Sequence, residues 1–68
     1  MSEHYEIEGY DVFFVRWHSE YMGEDFTSVS VAKDDREVCH AGMTKLEPSE
    51  EQARAVVELM KEMRLEDE

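Results

Sequence analysis

A single cysteine, Cys39, stands in the 68 residues, so no disulfide can close within the chain. The usual staple of small secreted domains is thereby excluded, and a reducing compartment is expected. Asparagine is absent, which removes any N-glycosylation acceptor. One proline, Pro48, and three scattered glycines, Gly9, Gly23 and Gly42, leave no phosphate-cradling glycine loop. Basic residues are few, 7 Lys and Arg against 18 Asp and Glu, giving a formal net charge of −11. Such a balance rejects nucleic acid and anionic membranes electrostatically and argues against direct binding to either. No apolar run approaches the roughly 20 residues a membrane span needs. Met1-Ser2-Glu3-His4 is acidic where a secretory signal would be basic. The expectation is a soluble cytoplasmic protein.

What the chain does have is concentrated in Tyr10 to His18, which holds two of the three Phe and the one Trp. Read with a period of two, Phe13, Val15 and Trp17 point one way and Tyr10, Val12 and Phe14 the other. Both faces are apolar, and such a strand wants cover on both sides. The chain is long enough for one domain, residues 1–68, and too short for a second core. A domain of this size buries only about 60% of its extended-chain surface, so a partner subunit would help it materially.

Tyr5 and Ile7 alternate with Glu6 and Glu8 ahead of Gly9. Gly9 fits either a bulge or a tight hairpin turn, and the bulge reading gives one long strand over about 5–18. Ser19 to Asp25 is a polar turn around Gly23. A second strand follows over 26–33, a turn of type I geometry over Asp34-Asp35-Arg36-Glu37, and a third strand over 38–43. Short connections make an antiparallel meander the natural topology. The last element is a helix over about 49–65, with Ser49 as N-cap, Gln52 completing a capping box, and Pro48 just outside. Glu50 and Glu51 suit its positive end, and Lys61 and Arg64 its negative end, while Glu66-Asp67-Glu68 opposes the dipole. Ala53, Val56, Val57, Met60 and Met63 form its apolar stripe; Leu59 falls beside it.

The fold class is therefore α+β: a three-stranded antiparallel meander with one C-terminal helix packed on one face. One helix covers one face of such a sheet. Alternation alone leaves open which one. The reading assigns Phe13, Val15, Trp17, Val29, Val31, Cys39, Ala41, Val56, Val57 and Met60 to the core. It leaves Tyr10, Val12 and Phe14 for a second copy of the chain or another protein.

Catalytic and metal chemistry have little to stand on. His4, His18, His40 and Cys39 are the soft or borderline ligands, but neighbours in a strand point to opposite faces, so Cys39 and His40 do not share an ion easily. No nucleophile elbow surrounds any serine, and no apolar pocket is in view to raise a carboxylate pKa. No metal, cofactor or enzymatic activity is expected. A small metal-binding or catalytic protein using His18, Cys39 or His40 stands only as an alternative.

The carboxylates carry more. Glu6 and Glu8 lie at i and i+2, about 6.7 Å apart on an extended strand. Glu20, Glu24 and Asp25 cluster in the following loop. DNA phosphates recur every ~3.4 Å per strand, so carboxylates so spaced give a coarser version of the same field. In bulk properties the chain resembles the small acidic inhibitors that phages direct at bacterial defence systems, including anti-CRISPR proteins. The charge of −11 and the uncovered aromatic face lead to the expectation of an acidic, non-enzymatic module that occupies a basic, nucleic-acid-binding surface of a protein partner, with Glu6, Glu8, Glu20, Glu24 and Asp25 as its contact. The competing expectation is a structural homodimer or assembly subunit whose charge serves solubility, with Tyr10, Val12 and Phe14 at the interface.

Overall fold

The computed structural model describes residues 2–63. Its elements follow as β1 (Ser2–Ile7), β2 (Tyr10–Ser19), β3 (Glu24–Lys33), β4 (Arg36–Thr44) and α1 (Glu50–Met63). The strands form one antiparallel sheet in the order β1-β2-β3-β4. The class is α+β with a C-terminal helix, as the sequence pattern indicates, but the sheet has four strands where three were expected.

The difference arises at Glu8 and Gly9. Both have positive φ, 53° and 86°, and Ile7 pairs with Tyr10 across them. Positive φ at both central residues marks a two-residue type I′ hairpin, whose twist matches that of the flanking strands. The expected bulge is therefore a turn, and the expected strand 5–18 is two strands. Asp34 and Asp35, at φ 54° and 65°, close β3 to β4 the same way, not in the type I geometry. Aspartate tolerates this left-handed region better than most residues.

The first hairpin also decides which face is covered. Its register sets Tyr5 opposite Val12 and Ile7 opposite Tyr10. The face carrying Tyr10, Val12 and Phe14 thus gains Tyr5 and Ile7, while the face carrying Phe13, Val15 and Trp17 gains Ser2, His4 and Glu6. Burial favours the more apolar face. The helix accordingly lies over β1 and β2 on the Tyr10–Phe14 side. The core is Ile7, Tyr10, Val12, Phe14, Val29 and Val31 from the sheet with Ala53, Val57 and Met60 from the helix. Tyr10, Val12 and Phe14, expected at a partner interface, are its buried centre. Phe13, Val15 and Trp17, expected in the core, are 40%, 44% and 36% exposed. Cys39 and Val56 pack against the core from its margin, and Ala41 is exposed.

Ser49 caps the helix through its Oγ, which accepts from the Gln52 N–H at 3.1 Å. Arg54 pairs with Glu50 one turn away at 3.1 Å. Lys61 reaches the Glu8 carboxylate in the first hairpin turn and ties the far end of the helix to β1 and β2. The expected last helical residues, with Arg64, Leu65 and Glu66-Asp67-Glu68, lie outside the described residues.

Strand β4 departs from regular pairing twice. Val38 is extra opposite the Val31–Ala32 step, and a second irregularity falls where Gly42 and Met43 oppose Ser28. Bulges on an outer strand bend its free edge away from further pairing.

Candidate functional site

The sheet face turned away from α1 carries uncovered apolar side chains near its centre. Its spine is Phe13, Val15 and Trp17 on β2. Cross-strand register brings His4, Phe13, Ser30 and His40 into one row across all four strands. The His4 ring stacks on Phe13 with centroids 4.6 Å apart and planes 11° apart. Its Nε2 lies 2.8 Å from Asp11 Oδ1, so the imidazole is fixed from two sides. Ser30 Oγ and His40 Nδ1 share a hydrogen bond at 3.0 Å.

One row on, Ser28 Oγ donates to the Gly42 carbonyl at 2.9 Å, and the Trp17 indole N–H reaches the same oxygen at 3.3 Å. The indole thus crosses β3 and leans over Phe26, with centroids 5.4 Å apart. Lys45 holds its ammonium 4.4 Å from the Phe26 ring centroid, anchored on Glu24 Oε1 at 2.7 Å and the Asp25 carbonyl at 2.9 Å. An ammonium, an aromatic ring and a carboxylate therefore already form one unit at this end of the face.

The charges on this face are distributed by the pleat. Glu6 and Asp11 pair directly across β1 and β2, and Glu37 sits opposite Ala32 in β3, all at one end. Glu24 sits at the other end opposite Ser19. Between the two ends, Phe13, Val15, Ser28 and Ser30 carry no charge. The face is acidic at the Glu6, Asp11 and Glu37 end, ion-paired at the Glu24 end, and largely apolar in the middle.

The five carboxylates singled out in the sequence do not converge. Glu6 is on the open face, whereas Glu8 is in the hairpin turn and held by Lys61, not beside Glu6 on one strand face. The hydrogen bond from Lys61 holds the Glu8 carboxyl below the usual glutamate range, and Glu8 in return raises the Lys61 ammonium. Glu20, Glu24 and Asp25 lie at the opposite end of the sheet, about eight residues or ~27 Å along β2 from Glu6 and Asp11. Asp25 is bonded to His18 Nδ1 at 2.7 Å, and that bond depresses its carboxyl from the ordinary range, with Arg16 and Lys45 adding to the effect. Glu24 is neutralised by Lys45. Among the described residues only Glu6 and Glu20 of the five make no ion pair.

His18, Cys39 and His40 are not brought together either. His18 and His40 sit opposite Asp25 and Ser30, five residues or ~17 Å apart along β3, and face opposite sides of the sheet. The Cys39 thiol is half-buried toward the helix, and burial, with Glu37 nearby, pushes its pKa up. That disfavours the reactive thiolate. Among the described residues no group of three or more His, Cys, Asp and Glu is placed to hold a metal ion. No described helix is long and apolar enough to cross a membrane.

On the covered side, the helix leaves the β3–β4 half of the sheet partly bare. A groove of about 320 Å³ runs there between β4 and α1, bordered by Ala41, Leu46, Val56, Leu59 and Met63. Leu59 and Met63 project from the helix flank beside it, 56% and 57% exposed.

In the sequence Asp11 and Glu37 do not stand out, His4 stands out only as a candidate metal ligand, and the outward direction of Phe13, Val15 and Trp17 is not given. The usable signal was Glu8-Gly9 itself, a left-handed-tolerant pair between two alternating runs. Counting back from that turn puts His4 beside Phe13 and Glu6 beside Asp11. Comparison of the chain with protein-family models, with curated proteins and with solved structures found no match.

Proposed function

We propose that the protein is a non-enzymatic interaction module whose open sheet face docks on a basic surface of a protein partner, as an acidic inhibitor of a nucleic-acid-handling protein would. The observation that carries this reading is the pairing of an uncovered aromatic spine with an acidic end, Glu6, Asp11 and Glu37, in a chain of net charge −11. Large exposed apolar residues grouped on one face mark interaction sites more often than scattered ones do. The acidic end speaks for a basic partner over a second copy stacked in parallel on this face. Stacked in parallel, two such faces set Glu6, Asp11 and Glu37 against themselves. Like charges so placed cost several kcal/mol, whereas a basic surface meets them favourably and associates faster.

The test is a pull-down from nuclease-treated lysate with stepwise salt elution, run beside a variant with Glu6, Glu8, Glu20, Glu24 and Asp25 reversed to Lys. A nucleic-acid-handling protein released at moderate salt and lost from the variant supports the reading. Capture unchanged by the reversals sinks it.

The groove beside Leu59 and Met63 favours a second reading, a small homodimer joined along the helix flanks with its charge serving solubility. Sedimentation of the protein and of Leu59→Glu decides it: a dimer that the substitution dissociates supports this reading, and a monomer at all concentrations removes it.

A further inference from the structure

We infer that the open face is built to receive arginine side chains from an extended basic segment, seating guanidinium groups on the Phe13 and Trp17 rings. This rests on the acidic-module reading above and names the chemistry its partner presents. Three observations on the face lead there.

The first is that the molecule already uses the device on itself. Lys45 places a cation over Phe26 and fastens it to Glu24, so a ring with a carboxylate beside it is a working cation seat at one end of the face. Lys33, 4.9 Å from the Tyr10 ring centroid, repeats the ring–cation half of the arrangement elsewhere. The second is that the same parts recur at the other end, where His4 engages Phe13 and Asp11 and, among the described residues, Glu6 is left without an ion pair. Phe13 has Asp11 two residues before it on the same face and Glu6 directly across from Asp11. His4 lies against Phe13 and holds Asp11, which orients ring and carboxylate together. Glu6 has no ion-pair partner among the described residues.

The third is spacing. Phe13 and Trp17 are four residues apart on one strand, about 13 Å, with Val15 between them. An extended peptide presents side chains on one face every ~6.7 Å, so cations four residues apart fall on the two rings and a residue between them meets Val15. Arginine suits this surface better than lysine. Its guanidinium is planar, weakly hydrated and able to stack on a ring while donating two bonds to a carboxylate. An ammonium is a compact, strongly hydrated ion that gives up little water on an open sheet face.

The sequence provides its own reporter, because Trp17 is the one tryptophan. The probe is a capped peptide of about eight residues with arginine at alternate positions and serine between, titrated into the full chain at low salt. Lysine and citrulline versions of the same peptide run beside it. The arginine peptide should change Trp17 emission and bind about tenfold or more tighter than the lysine one, the citrulline peptide being weakest. By calorimetry, Phe13→Ser, Trp17→Leu and the pair Glu6→Gln with Asp11→Asn should each weaken binding about tenfold, with circular dichroism confirming that each variant is folded. The pair Glu58→Gln with Glu62→Gln, on the helix, should leave it unchanged.

Equal affinity for arginine and lysine peptides, saturation without any change in Trp17 emission, or equal weakening by the helix pair would overturn the inference in favour of diffuse polyanion attraction. Concentration-dependent self-association that the arginine peptide does not displace would overturn it in favour of a second copy on this face. Should the peptide fail while a lysate partner is still released by salt and lost on charge reversal, only the arginine seats fall. Should that partner ignore charge reversal too, the acidic-module reading falls with them.

Discussion

Lys61, near the end of α1, donates a hydrogen bond to the carboxylate of Glu8 in the β1–β2 turn, 53 positions earlier in the chain. With the Ser49 cap at the other end of the helix, this pair sets the line along which α1 crosses β1 and β2. The shifts agree in sign: Glu8 is lowered and Lys61 raised, each chiefly by their shared bond. A lowered carboxyl contributes stability above its unfolded pKa and loses it as pH falls through the folded one; a raised ammonium contributes below its unfolded pKa and loses it as pH rises through the folded one. The Glu8→Gln variant should therefore melt slightly below the parent at pH 7. The gap should close in acid, below the ordinary glutamate value of ~4.3, and in base, above the lysine value of ~10.4. Melting curves across pH by circular dichroism check this. A gap that persists at pH 3 would mean the side chain acts through something other than charge.

Which aromatic row is core and which is surface can be read from two substitutions. Phe14 is fully buried under the helix and Phe13 is 40% exposed on the other side of the same strand. Phe14→Ala should cost about 3–5 kcal/mol, a large part of the stability of a domain this small. Phe13→Ala should cost under about 1 kcal/mol, as solvent-facing changes usually do. Urea denaturation of both variants gives the comparison, and equal losses would contradict the face assignment.

The hairpin turns make opposite predictions for adding and removing a side chain. Gly9 has φ 86° with open space where a Cβ would stand, so Gly9→Ala meets no clash and suffers backbone strain alone, about 1 kcal/mol. Asp35 carries a side chain at φ 65°, the position where Asn-Gly and Asp-Gly turns place glycine. Asp35→Gly should relieve strain and stabilise the fold by up to about 1 kcal/mol, measured as a higher urea midpoint. A stabilising Gly9→Ala would refute the positive-φ turn.

Salt should strengthen the isolated protein. At −11 the folded chain repels itself, and ions at about 1 M shrink the screening length from ~10 Å to ~3 Å. The urea midpoint should rise with sodium chloride, and more so at pH 8 than at pH 4.5, where many carboxylates are protonated. A falling midpoint would show that attractive pairs such as Arg16–Glu47 and Lys45–Glu24 outweigh the repulsion.

Cys39 should label slowly. Its half-buried thiol, pushed up in pKa, should react with a disulfide reagent well below the rate of a free cysteine at pH 7, and at the free rate once urea unfolds the chain. Fast labelling of the native state would place the thiol outside the margin of the core.

Much of the architecture was legible because it is local. Ser49 before two glutamates and an apolar stripe determines a capped helix, and the cap bond to Gln52 forms as read. The alternating runs determine strands, and short polar connections determine an antiparallel meander. The charge of −11 likewise follows from composition alone. What composition and period could not decide is which side of β2 faces inward. A period-two pattern that is apolar on both faces is nearly symmetric under their exchange, and only an asymmetric neighbour breaks the tie. That neighbour is β1, folded back by Glu8 and Gly9 so that Tyr5 and Ile7 join Tyr10, Val12 and Phe14. Helix placement follows from their combined apolar area, and the exposure of Phe13, Val15 and Trp17 follows from helix placement. The separation of Glu6 and Glu8 from Glu20, Glu24 and Asp25 is tertiary in the same sense. Residues close in sequence end at opposite ends of the sheet because a ten-residue strand runs between them, while Glu6 and Asp11 meet because a turn does.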